Sequence, residues 1–110
     1  GDLNDFSDRH LDVAGSTPTS RVLAMLRDLD RDGVDDLEEM MGRVQPRSER
    51  YTAWWDHAPQ DGVDQGGTEH SQLDHVLLST GLVAAATSVR VRMHHAHSAA
   101  AVSDHWPMSV

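Results

Sequence analysis

Three short strings set hard oxygen ligands or an imidazole where they could act together. GDLND opens the chain with Asp2 and Asn4 two residues apart. LDHVLLS carries Asp74, and SDHWP carries Asp104 beside His105. An Asp-x-Asn pair on an extended backbone points two oxygen donors to one side. Carboxylates of this kind suit Mg²⁺, which prefers carboxylate, carbonyl and water ligands. A carboxylate such as Asp74 next to His105 would fix the imidazole tautomer and support its positive charge. Asp104 and His105 are sequence neighbours and point opposite ways in a strand, so one of them must lie in a turn for both to face a site. Pro107 favours such a turn. Taken singly, each string also has a plainer reading, as an Asx turn, a surface pair or the polar head of an apolar strand.

A second cluster is the stretch DLDRDGVDDLEE, with seven acidic residues and one arginine. Asp28, Asp30, Asp32, Gly33, Asp36 and Glu39 fall at positions 1, 3, 5, 6, 9 and 12 of an EF-hand-like loop. Those carboxylates would bind Ca²⁺ and relieve their mutual repulsion. Asp35 stands at position 8, where an apolar residue usually pairs with a second hand. The alternative is an acidic solvent-facing connection in which Gly33 supplies a turn.

The elements that must position these groups are short. A helix is expected from about Pro18–Ser20 through RVLAMLRDL, with Val22, Leu23, Leu26 and Leu29 at helical spacing and Thr19 or Ser20 as cap. A short helix is expected at 37–43. Strands are expected at 51–55 (YTAWW), at 73–79 with burial on both faces near its end, and at 87–93 (TSVRVRM) with Val89, Val91 and Met93 inward. A helical turn is expected at 81–86, and a last short strand ends the chain. Long turn-rich loops separate them. The order favours an α+β or layered α/β unit.

Composition narrows the function. The 110 residues hold 9 basic and 18 acidic side chains, a net charge of −9, and every basic residue is Arg. Such a chain repels a phosphodiester backbone unless cations intervene. That argues against a nonspecific nucleic-acid binding module and fits an enzyme meeting phosphate through metal. Cysteine is absent, which excludes disulfides and thiolate metal sites. The longest apolar run, LVAAA, is five residues and too short to span a membrane.

In this order the three strings resemble the C-terminal half of the endonuclease/exonuclease/phosphatase superfamily, the DNase I-like fold. That family carries a GD-x-N string, a later [LI]D-[HY]-[VIF]-L-x-S string and a terminal SDH-x-P string. The resemblance frames nearly the whole chain, residues 1–110. It implies an α/β fold, the C-terminal half of a four-layer sandwich, and Mg²⁺-dependent cleavage of a phosphate ester. By residue it implies that Asp2 positions or deprotonates the attacking water and also meets the metal. Asn4 would help hold nucleophile and phosphate, Asp104 would ligate metal, His105 would contact the scissile phosphate, and Asp74 would pair with His105.

The family's metal-binding Glu, early Asn and further His have no counterpart here. An N-terminal half of the same domain, as a separate chain or fragment, is therefore the expected partner. A nuclease or nuclease-like phosphodiesterase is the leading expectation, with a phosphoester substrate that includes nucleic acid. A phosphatase or lipid phosphodiesterase of the same superfamily, and a noncatalytic calcium-binding domain, are the alternatives.

Other residues are weaker pointers. His94, His95 and His97 share one loop and read as exposed in preference to metal-binding. His75 reads as packing. Trp54 and Trp55 read as core, one of them near a cleft rim. Arg47, Arg50, Arg90 and Arg92 read as surface charge.

Overall fold

The computed structural model describes residues 1–57, 59–96 and 103–110. His97 and the rest of 97–102 lie outside the described residues. Among the described residues two short helices and six short strands make a mixed α/β unit: α1 Val22–Arg27, β1 Leu37–Glu39, β2 Ala53–Trp54, β3 His70–Ser71, β4 Leu77–Ser79, α2 Thr80–Ala85, β5 Arg92–Met93 and β6 Met108–Ser109. The strands pair antiparallel as three separate two-stranded sheets, β1 with β4, β2 with β3 and β5 with β6.

Helix α1 is shorter than its apolar spacing predicts. Leu23 is buried, but Leu29 lies beyond the last turn and is exposed. Asp5 fixes where the helix begins. Its carboxylate accepts the Thr19 and Ser20 N–H groups at 2.7 and 3.0 Å and both their hydroxyls. Led by the Ser20 hydroxyl, these bonds hold Asp5 far below the usual carboxylate range. Ser20 Oγ in turn accepts the Val22 N–H at 3.1 Å from one residue before the cap, since Arg21 and not the expected Thr19 or Ser20 holds the cap position, with no side-chain cap bond.

The segment 37–43 corrects the expected short helix. Residues 37–39 extend as β1, paired with β4 in the register Leu37–Ser79, Glu38–Leu78, Glu39–Leu77. A 3₁₀ turn, Met40–Arg43, follows and buries Met40 and Met41. The Met40 N–H donates to Val76 O at 2.9 Å, which carries the pairing on past β1. Strand pairing overrides local propensity here. The expected strand at 73–79 narrows to a bridge at Asp74 and β4, and its apolar residues are half-buried. The strand at 87–93 pairs only at β5, but Val89, Val91 and Met93 are less exposed than Arg90 and Arg92, in the expected alternation.

The interior is more polar than apolar. Among the described residues the buried apolar side chains are Leu23, Met40, Met41, Val44, Ala53 and Trp106. Around them lie buried Asp5, Ser7, Asp12, Arg27, Glu39, Thr52, Glu69, His70, Gln72 and His75. Buried polar groups must find partners. Arg27 clasps Asp8 with two bonds of 2.7 and 2.8 Å, and Ser7 donates to Glu39 at 2.7 Å.

Candidate active site

Two single-residue bridges build the site. Asp2 opposes Asp74 antiparallel. The flanking bonds, Leu3 N–H to Leu73 O and His75 N–H to Gly1 O, are both 3.0 Å. In such a non-hydrogen-bonded pair the opposing side chains share one face and the Cα atoms are about 4.5 Å apart. Ala53 opposes His105 in the same way, flanked by Trp54 N–H to Asp104 O at 2.9 Å and Trp106 N–H to Thr52 O at 2.8 Å. Asp2 thus stands beside Asp74, and His105 beside the small side chain of Ala53.

A hydrogen bond joins the two bridges. His105 Nδ1 lies 2.6 Å from Asp74 Oδ2. A carboxylate accepts, so Nδ1 carries the proton of this bond. Partial burial works against charge on the imidazole. Burial is the largest single influence, but the Asp74 bond and the charges of Asp74, Asp104 and Asp2 together overcome it, so the His105 pKa is raised above its ordinary value. The structure therefore brings Asp2, Asp74, Asp104 and His105 into one electrostatic cluster. Asp104 occupies the bend just before His105, where the Ser103 hydroxyl accepts the His105 N–H at 3.0 Å.

Asn4 adjoins this cluster in an Asx turn. Its N–H donates to Asp2 Oδ1 at 2.8 Å, and its φ of +49° is the left-handed conformation that Asn tolerates. The turn fixes the Asp2 carboxylate at the exposed end of the bridge.

Thr52 is a positioning residue that sequence reasoning missed. It is fully buried, and its hydroxyl accepts the N–H groups of both Leu73 and Asp74, at 3.0 and 2.9 Å. Its carbonyl accepts the Trp106 N–H. One residue, through its hydroxyl and its carbonyl, thus ties the Asp74 segment to the His105 segment. The one signal in the sequence is a β-branched polar residue inside the aromatic run YTAWW.

The opposite side of the β2 region is core. Tyr51 stacks between His70 and His95, with ring centroids 4.0 and 3.7 Å away, and Trp106 meets all three rings edge-on. Asp64 flanks His70 at 2.8 Å and Glu49 flanks His95 at 3.1 Å. His95 is thus a packed ring and not an exposed loop residue. Arg47 and Arg50 are also engaged, bonding to the carbonyls of Asp12, Val44 and Leu11.

The acidic loop brings together three of the five expected carboxylate ligands. Asp28, Asp30 and Asp36 bring carboxylate oxygens within 4.8 Å of one another, a cluster that can chelate a divalent cation. One oxygen of Asp28 is shielded from solvent without a hydrogen-bond partner. Gly33 adopts φ +88°, and its N–H donates to Asp28 at 3.1 Å. Asp32 stands apart from the three and accepts the Val34 N–H at 2.8 Å. Glu39 is elsewhere altogether. Its carboxylate is buried, accepting from Ser7 and lying 3.0 Å from His75 Nδ1. With β1 where the exit helix would stand, the carboxylate at position 12 turns into the core. The Ca²⁺-ligand expectation for Glu39 is corrected accordingly, and the loop is not a helix–loop–helix. His75 packs, as its position suggests, with Nε2 on Asp5 O at 2.9 Å.

No family model matches the chain, and neither a curated protein nor a solved structure is significantly similar to it.

Proposed function

We propose that the chain is the C-terminal half of a metal-dependent phosphoesterase, most simply a nuclease-like phosphodiesterase. In this reading an N-terminal half, supplied in the same or another chain, completes a DNase I-like sandwich and the metal site. The observation that carries the proposal is the Asp74–His105 pair, at 2.6 Å, sharing one face with Asp2.

Each residue then has a task. Asp2, steadied by Asn4, orients the attacking water and accepts its proton. His105, held by Asp74 through Nδ1 and protonated, donates its Nε2–H to a phosphate oxygen as negative charge grows there. Asp2 on this face, with Asp104 in the bend just before His105, would supply the oxygen donors a hard cation takes. Mg²⁺ bound there would supply charge neutralisation at the phosphate.

The test is hydrolysis of bis-p-nitrophenyl phosphate, plasmid DNA and RNA by the protein expressed from its complete coding sequence, with and without EDTA. Mg²⁺-dependent turnover that falls about 10²–10⁴-fold in His105→Ala supports the reading. Absence of EDTA-sensitive hydrolysis of all three substrates sinks it.

The loop carrying Asp28, Asp30 and Asp36 is assigned a separate role within this proposal, as a structural Ca²⁺ site. It offers oxygen donors only, the chemistry Ca²⁺ selects.

A further inference from the structure

We infer that Trp55 is a stacking platform for a nucleobase next to the scissile phosphate, so that the substrate of this site is a nucleotide ester and not a sugar or lipid phosphate. The inference rests on the phosphoesterase reading and narrows it to one substrate class.

The two faces of the β2 region carry the argument. His70, paired with Trp54, and Trp106 lie on the buried side. Ala53 shares the other side with His105. The extended backbone continues through Trp55, whose N–H donates to Glu69 O at 2.9 Å. Side chains alternate along such a run, so Trp55 follows Ala53 onto the His105 side, about 7 Å along the strand.

The two adjacent indoles behave accordingly. Trp54 is half-buried with its Nε1 donating to Glu69 at 3.0 Å, whereas Trp55 is 67% exposed. A large flat ring left in water beside a phosphate-directed histidine has the form of a base-stacking surface.

Charge favours stacking over ion pairing at this rim. Besides the imidazoles of His105 and of His57, whose Nδ1 lies 3.2 Å from Trp55 O, the ionisable neighbours in sequence or across the bridges are the carboxylates of Asp2, Asp56, Asp74 and Asp104. They repel a phosphate backbone, whereas a π face holds a base without charge. A headgroup without a planar ring would gain little there.

The test is calorimetric titration of the protein, expressed from its complete coding sequence, in Mg²⁺. One probe is a phosphorothioate-linked thymidine dinucleotide, which resists turnover. The other is glycerophosphocholine, a phosphodiester without a base. Trp55→Ala should weaken dinucleotide binding about tenfold and leave glycerophosphocholine within about twofold. Trp55→Phe, which keeps a π face, should recover most of the loss. The platform is overturned if wild-type protein does not bind the dinucleotide, if Trp55→Ala binds it undiminished, or if both probes weaken alike. Trp55-dependent dinucleotide binding without any Mg²⁺-dependent hydrolysis would uphold the platform and overturn the hydrolase reading.

Discussion

His105 donates its Nδ1 proton to Asp74 across 2.6 Å, and Thr52 bonds to the segments of both residues. Their pairing is a tertiary product, since 31 residues separate them. It couples the charge of the imidazole to folding. Partial burial of His105 opposes its charge, but the Asp74 bond and the charges of Asp74, Asp104 and Asp2 together prevail, so the folded pKa lies above the unfolded one. The pair's contribution to stability is therefore complete below the unfolded pKa of His and is lost as pH rises through the folded value. Asp74→Asn should lower the His105 pKa, read from its ring proton shifts by NMR. An unchanged titration would show that Asp74 does not support the imidazolium.

Thr52→Val keeps shape and removes the hydroxyl that accepts two backbone N–H groups. Leaving buried donors unsatisfied costs about 1–3 kcal/mol. Urea unfolding should show a loss of that order, and the His105 titration should shift toward its ordinary value as Asp74 loosens. Thr52→Ser should restore both. Stability lost with the His105 titration unmoved would confine Thr52 to a packing role.

The strings that come together were easier to read in the sequence than the frame around them. Asp2, Asp74, Asp104 and His105 were legible because each sits in a short local string, and two bridges then bring the strings together. Thr52 was not, because its role depends on N–H groups 21 and 22 residues away. The acidic stretch misled for a related reason. Its spacing fits an ion-binding loop throughout, yet Glu39 is drawn inward by Ser7 and His75, 32 and 36 residues distant. No local pattern marks a carboxylate whose partners are that remote. The alternation at 87–93 foretold exposure correctly but not pairing, since β6 meets only its end.

Calcium titration separates the acidic residues. If the loop holds Ca²⁺ through Asp28, Asp30 and Asp36, Ca²⁺ at 100 times its Kd should stabilise the fold by about 2.7 kcal/mol through linkage, visible as a rise in Tm. Asp28→Asn with Asp36→Asn should abolish the rise. Glu39→Gln should leave the Ca²⁺ increment intact even as it lowers the starting Tm, because Glu39 points away from the cluster. A Ca²⁺ response lost in Glu39→Gln but kept in the double variant would reverse the assignment. Absence of any Ca²⁺-induced rise would retire it.

Glu39 should instead behave as the acid-sensitive anchor of the interior. Burial pushes its pKa up, but the bonds from His75 and Ser7 outweigh this and hold it below the ordinary glutamate value. A depressed carboxylate contributes stability that is full above its unfolded pKa and is lost as pH falls through the folded one. Arg27, 3.8 Å away and itself buried, adds a second charge that depends on Glu39 remaining ionised. Removing one member of a buried ionic group costs about 3–5 kcal/mol. Glu39→Gln should therefore be strongly destabilising at pH 7 in urea unfolding, with a smaller deficit at acid pH, where the wild-type carboxylate is itself protonated. A deficit that stays constant from pH 7 down through the carboxylate range would mean that size and shape at position 39 matter and its charge does not.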